Sequence, residues 1–149
     1  MDGQKSIIEL FQENELRVSE LYKIYSQKIP DHKNFWKKLS GEEIGHADDI
    51  AAIYGDKNQD YFAENKFARG VIKYVSGFVE EKIKEAKEKK MTHADAINIA
   101  LRIEQSMLEK KCFDMFIPTN TTVKQVMKKL NEDTERHAEQ LRKELDKLK

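Results

Sequence analysis

The chain predicts an all-α fold: four long amphipathic helices, with a long crossover between the second and the third. Three observations carry that prediction. Charged residues make up 36% of the 149 residues and Pro only two, which suits helices with one wet and one buried face. Apolar residues recur at steps of three and four along four segments. Residues 55–91, between the second and third segments, are too many for a tight antiparallel connection.

The first segment runs from about Ser6 to Lys28, carries Ile8, Phe11, Val18, Tyr22 and Tyr25 on one stripe, and is closed by Pro30. The second runs from about His32 to Tyr54 and stops at Gly55, ahead of the polar loop Asp56–Asp60. Inside the crossover, Phe67, Val71, Ile72, Phe78, Val79 and Ile83 alternate with charge, which predicts a helical piece before the solvated run Lys84–Lys90. The third segment opens on Thr92 as an N-cap, with Asp95 three residues on. It passes through Ile97, Leu101, Met107 and Leu108 to about Phe116, and Pro118 breaks it. The fourth starts near Thr121 or Thr122 and carries Met127, Leu130, His137, Leu141, Leu145 and Leu148.

A single domain spanning residues 1–149 is expected. Lys plus Arg and Asp plus Glu both count 27, so net charge is zero and there is no electrostatic footprint for nucleic acid. The lone Cys112 excludes an intrachain disulfide or a Cys-x-x-Cys metal knuckle. No apolar run approaches the roughly 20 residues of a membrane span, and no hydrophobic signal segment follows Met1-Asp2-Gly3-Gln4-Lys5. The expectation is a cytoplasmic protein with no membrane partner.

Several ionisable residues stand where these helices should bury apolar groups. Trp36, Leu39, Glu43, His46, Ile50 and Ile53 share one face of the second segment. Glu15 falls between Phe11 and Val18 or Tyr22, Glu104 between Leu101 and Leu108, and His137 between Leu130 and Leu141. Each has an ordinary reading. Glu-x-x-His recurs by chance in charged helices, Glu15 lies in an acidic helix with Glu13 and Glu20, Glu104 has Glu109 as a neighbour, and a lone histidine is usually structural. What weighs is recurrence on all four stripes, because buried carboxylates must take up protons or find a cation. Glu-x-x-His is also the spacing from which helix bundles build dinuclear carboxylate sites, and the donor mixture suits iron or manganese. His32 and His93, at segment starts, read as cap or surface residues, and Cys112 as a small packed group.

Two helices, a long crossover and two more helices is the ferritin-like connectivity. The chain resembles the ferritin-like diiron domain of the rubrerythrin family over nearly its whole length. The residues that carry the resemblance are Glu15-x6-Tyr22, Glu42-Glu43-x-x-His46-Ala47, Ala100-Leu101-x-x-Glu104 and Glu135-Arg136-His137-Ala138-Glu139. The resemblance implies metal ligation by Glu15, Glu43, His46, Glu104 and His137, with two iron ions as cofactor and Tyr22 hydrogen-bonding a ligand. It implies reaction with peroxide or dioxygen, as peroxide reduction or ferrous iron oxidation, and a homodimer as the assembly.

The chain departs from the family pattern at three points. The fourth-helix carboxylate three residues before His137 is replaced by Thr134, with Asp133 beside it as the residue that could swing toward the site. Lys111 stands where the family commonly has Tyr, and the rubredoxin module is missing, so electrons must come from an external donor. The alternative is therefore a non-catalytic bundle with a degraded or mononuclear site, holding one ion or none and acting as a structural or interaction module. A third reading, a helical adaptor, requires an exposed apolar stripe, for which the crossover helix with Phe67, Val71 and Phe78 is the candidate.

Overall fold

A computed structural model describes residues 7–54, 66–109 and 121–148 of the chain. The described elements are all helical: α1 (Ile7–Lys28), a 3-10 turn (Pro30–His32), α2 (Lys33–Tyr54), α3 (Lys66–Glu88), α4 (His93–Glu109) and α5 (Thr121–Asp146). The stop at Gly55, the loop 56–60, Lys111, Cys112, the helix end near Phe116 and Pro118 lie outside the described residues. So do the side chains of Ile8, Ile53, Phe67, Met107, Leu108 and Met127. No helix among the described residues is long and apolar enough to cross a membrane.

Local chemistry sets the helix ends. Pro30 has no N–H to continue α1, so the helix stops and the 3-10 turn reverses the chain. Thr92 caps α4 by accepting the Asp95 N–H at 3.0 Å on its hydroxyl. The crossover helix is longer than expected, for α3 continues through the charged run to Glu88. Ile83 and Ala86 keep the apolar stripe going against the core, while Lys84, Lys87 and Glu88 point into solvent.

Side-chain pairs give the helix directions. Ser19 bonds Ser40 and Tyr22 and Tyr25 pack on Trp36, so α1 and α2 run antiparallel. Asn14 meets Ser76, Arg17 meets Glu80 and Glu20 meets Lys87, so α3 runs parallel to α1. His93 with Glu144 and Glu104 with His137 make α4 and α5 antiparallel, and Asp49 with Lys129 and Glu42 with Arg136 do the same for α2 and α5. The chain thus returns along α1 as α3, from the end where α2 stops to the end where α4 begins.

That return helix is a full member of the packed body. Its Ile72, Val75, Val79, Ile83 and Ala86 join the core that holds Phe11, Leu21, Trp36, Ile97 and Leu141, and Val71 and Phe78 pack half-buried against it. Each fully buried aliphatic or aromatic side chain contributes about 2 kcal/mol relative to exposure. Of the stripe that an adaptor would need to expose, Val71 and Phe78 are half-buried against this core, with Arg102 of α4 over the Phe78 ring.

Candidate metal centre

Glu15 from α1, Glu43 and His46 from α2, Glu104 from α4 and His137 from α5 converge in the interior, none of them more than 4% exposed. Helical period explains the convergence. Residues three apart share a face, so the stripe that buries Leu39 and Ile50 also buries Glu43 and His46. His46 Nδ1 lies 3.4 Å from Glu15 Oε2 and 3.2 Å from Glu43 Oε2. His137 Nδ1 lies 3.0 Å from Glu43 Oε1 and 3.2 Å from Glu104 Oε1. These contacts form two triads, Glu15–Glu43–His46 and Glu43–Glu104–His137, whose ligand atoms lie within 4.8 Å of one another and which share Glu43, one oxygen to each side.

The outer edges of both imidazoles are held as well. His46 Nε2 is 3.2 Å from Asp133 Oδ2, and His137 Nε2 is 2.8 Å from Glu42 Oε1. Arg136 spans the two outer carboxylates at 3.3 Å each, balancing their charge at the surface. An imidazole that gives its Nε2 proton to a carboxylate keeps Nδ1 as its free lone pair, the orientation in which histidines are presented to metals. Here both Nδ1 atoms face the shared carboxylate.

Electrostatics of the metal-free chain follow from crowding. Burial and the Glu104 and Glu15 charges push Glu43 well up, so it keeps a proton. Burial also raises Glu15, but the hydrogen bond from Glu43 and the nearby His46 outweigh it and hold Glu15 below the usual carboxylate range. Burial lowers both imidazoles, yet the carboxylates around them prevail. His46 is pushed up to about 11 by Glu15 and Glu43, and His137 to about 10 by Glu104 and Glu43. Protons thus stand in for cations.

Three further residues singled out from sequence also have definite places. Tyr22 is fully buried, and burial with the Glu104, Glu43 and Glu15 charges raises its phenol. Its hydroxyl has no hydrogen-bond partner among the described residues. Thr134 is buried on the His137 face of α5, but its hydroxyl donates to the Leu130 carbonyl at 2.8 Å rather than to the centre. Asp133 meets His46 from the Nε2 side, away from the shared carboxylate. Burial raises Asp133, but Arg136 and His46 hold it below its ordinary value. A cleft of about 160 Å³ between α2 and α5, lined by Glu42, His46, Asp49, Lys129, Asp133 and Arg136, reaches the His46 edge from outside.

Sequence reasoning gave no role to Glu42, whose contact depends on how close α5 comes to α2, a distance that helical period does not set. It also read His93 as a cap or surface residue. His93 is buried at 8% exposure, bonded to Trp36 and to Glu144. The signal that could have found it is its position at the start of α4, level with an indole that needs an acceptor.

Comparisons with protein families, curated proteins and solved structures found no match to this chain.

Proposed function

We propose that the chain is a ferritin-like diiron-carboxylate protein that consumes peroxide or dioxygen, in the manner of the rubrerythrin family. In this reading α1, α2, α4 and α5 form the four-helix bundle and α3 is the helical part of its crossover. The observation that carries it is the pair of triads sharing Glu43, each with an imidazole Nδ1 turned inward and its Nε2 held by an outer carboxylate. The donor set fits the ions. Three buried carboxylates set three negative charges against the four positive charges of two divalent ions, two neutral imidazoles add nitrogen donors, and hard oxygen with imidazole nitrogen favours iron or manganese. The orphaned Tyr22 hydroxyl fits too, since it lacks a partner only while nothing else lies in the centre.

Bound iron supplies the electrons for reducing the oxidant. Glu15, Glu43 and His46 would hold one ion and Glu43, Glu104 and His137 the other. Asp133 and Glu42 hold the Nε2 protons and so fix both tautomers. Tyr22, whose hydroxyl has no partner among the described residues, is an O–H donor near the Glu104, Glu43 and Glu15 charges, and Leu39, Ile50 and Leu130 are buried in the same interior. One Cys cannot build a rubredoxin-type iron site within these 149 residues, so in this reading the reducing equivalents reach the centre from another site or molecule.

Thr134 supports the second reading, a site that holds one ion or none, because its hydroxyl is committed to Leu130. Anaerobic ferrous titration of the metal-stripped chain, followed by peroxide, separates the two. Two ions per chain and an oxo-bridged ferric absorption band are expected. One ion or none, with no spectral response, would overturn the diiron reading.

A further inference from the structure

A second polar cluster lies where the 3-10 turn, the start of α4 and the end of α5 meet. The indole Nε1–H of Trp36 donates to His93 Nδ1 at 3.2 Å, and His93 Nε2 sits 2.9 Å from Glu144 Oε2. His32 stacks flat on His93, ring centroids 3.6 Å apart and planes 1° from parallel, with its Nδ1 3.6 Å from the same Glu144 oxygen. Two imidazoles and a carboxylate at this spacing invite a metal assignment. Tautomer chemistry argues against it. Indole N–H is a donor only, so His93 Nδ1 must be the acceptor and the ring proton sits on Nε2, leaving no lone pair for an ion. What the cluster does hold is a neutral base against the N–H of the only tryptophan in the chain. Burial and the neighbouring His32 keep His93 below its ordinary value despite the opposing pull of Glu144.

Trp36 is fully buried and touches oxidisable rings on its other side, with Tyr22 at 5.5 Å and Tyr25 at 4.9 Å between centroids. Tyr22 in turn feels the charges of Glu104, Glu43 and Glu15. From the carboxylate centre an unbroken series of rings therefore leads through Tyr22, Trp36 and His93 to His32, whose side chain is 36% exposed. The five residues of the centre are no more than 4% exposed, and the cleft between α2 and α5 reaches only the outer edge of His46, behind the charged groups of Glu42, Asp133 and Arg136.

We propose that Trp36 is a proton-coupled electron carrier between the carboxylate centre and the surface at His32, with His93 as its proton acceptor. The carrier role rests on the diiron reading. With peroxide or dioxygen as the terminal oxidant at the centre, Trp36 gives up one electron by way of Tyr22. Losing that electron makes Nε1–H strongly acidic, and its proton crosses to His93 Nδ1. His93 becomes an imidazolium paired with Glu144. A one-electron donor, a reduced protein or small reductant at the His32 face, returns the electron to the indole, and the proton goes back to Nε1. Each turn moves one electron inward and leaves both side chains as they began.

The test has two arms. In the metal-free chain, Trp36 is oxidised by a photogenerated ruthenium(III) complex and the radical is followed by its visible absorption. The native chain should give the neutral indolyl radical. In His93→Gln the carboxamide can accept the N–H bond but cannot take the proton, and the radical cation should persist about 100-fold longer. Equal lifetimes would overturn the assignment of His93. In the iron-loaded chain, Trp36→Phe and His93→Gln should each slow re-reduction of the oxidised centre by a one-electron dye, with bound iron unchanged. Unchanged re-reduction in both, at full iron content, would overturn the carrier role. A native chain that takes up no iron would overturn the diiron reading and the carrier role with it, while the metal-free arm still decides the proton transfer.

Discussion

Thr134 is one turn before His137 and points into the same interior, yet its hydroxyl is spent on the Leu130 carbonyl. A carboxylate there would reach where the shared Glu43 now stands alone between the triads. Thr134→Glu should therefore bind iron more tightly than the native chain does. The same change should lower the melting temperature of the metal-free form, because it adds a buried negative charge to a crowded centre. Iron counting and thermal melts of stripped and loaded protein read both effects. Unchanged iron affinity with an intact fold would place residue 134 outside the centre.

At the level of elements, α3 decides how the body is closed. Its apolar stripe faces α1 and its lysines and glutamates face solvent, an amphipathic division that a helix can hold only against a partner. Ile72 is buried at 3% exposure, so Ile72→Ala should cost about 3 kcal/mol in urea unfolding. Tyr74, two residues on and 66% exposed, should tolerate Ala within about 0.5 kcal/mol. Equal effects at the two positions would mean that α3 does not pack on the body as placed.

Across the whole molecule, metal binding and proton binding compete for the same atoms. His46 and His137 are held up to about 11 and about 10, against an ordinary value of 6.5, and both are imidazolium at neutral pH in the metal-free chain. A raised folded value contributes stability that is fully present below the unfolded value and lost as pH rises through the folded one. The metal-free chain should therefore lose this stability progressively as pH rises above about 6.5, with the loss complete once pH passes about 10 to 11. To accept an ion each Nδ1 must shed its proton and Glu43 must shed its own, so uptake at neutral pH should release about one proton from each imidazole and one from Glu43, and affinity should rise with pH. A weakly buffered titration with an indicator dye measures the release. Metal uptake without it would show that neither imidazole is a ligand.

Helical period placed Glu15, Glu43, His46, Glu104 and His137 on inward faces from the amino-acid sequence alone, because residues three and four apart must share a side of a helix. The ends at Pro30 and Thr92 were legible for the same local reason, a missing donor and a hydroxyl cap. Tertiary structure decided what lies across from each face. Glu42 meets His137, Asp133 turns to the outer edge of His46, α3 closes over α1, and His93 lies buried against Trp36. Those contacts join residues between 57 and 95 positions apart, and helix–helix packing sets their distances, which no local periodicity encodes.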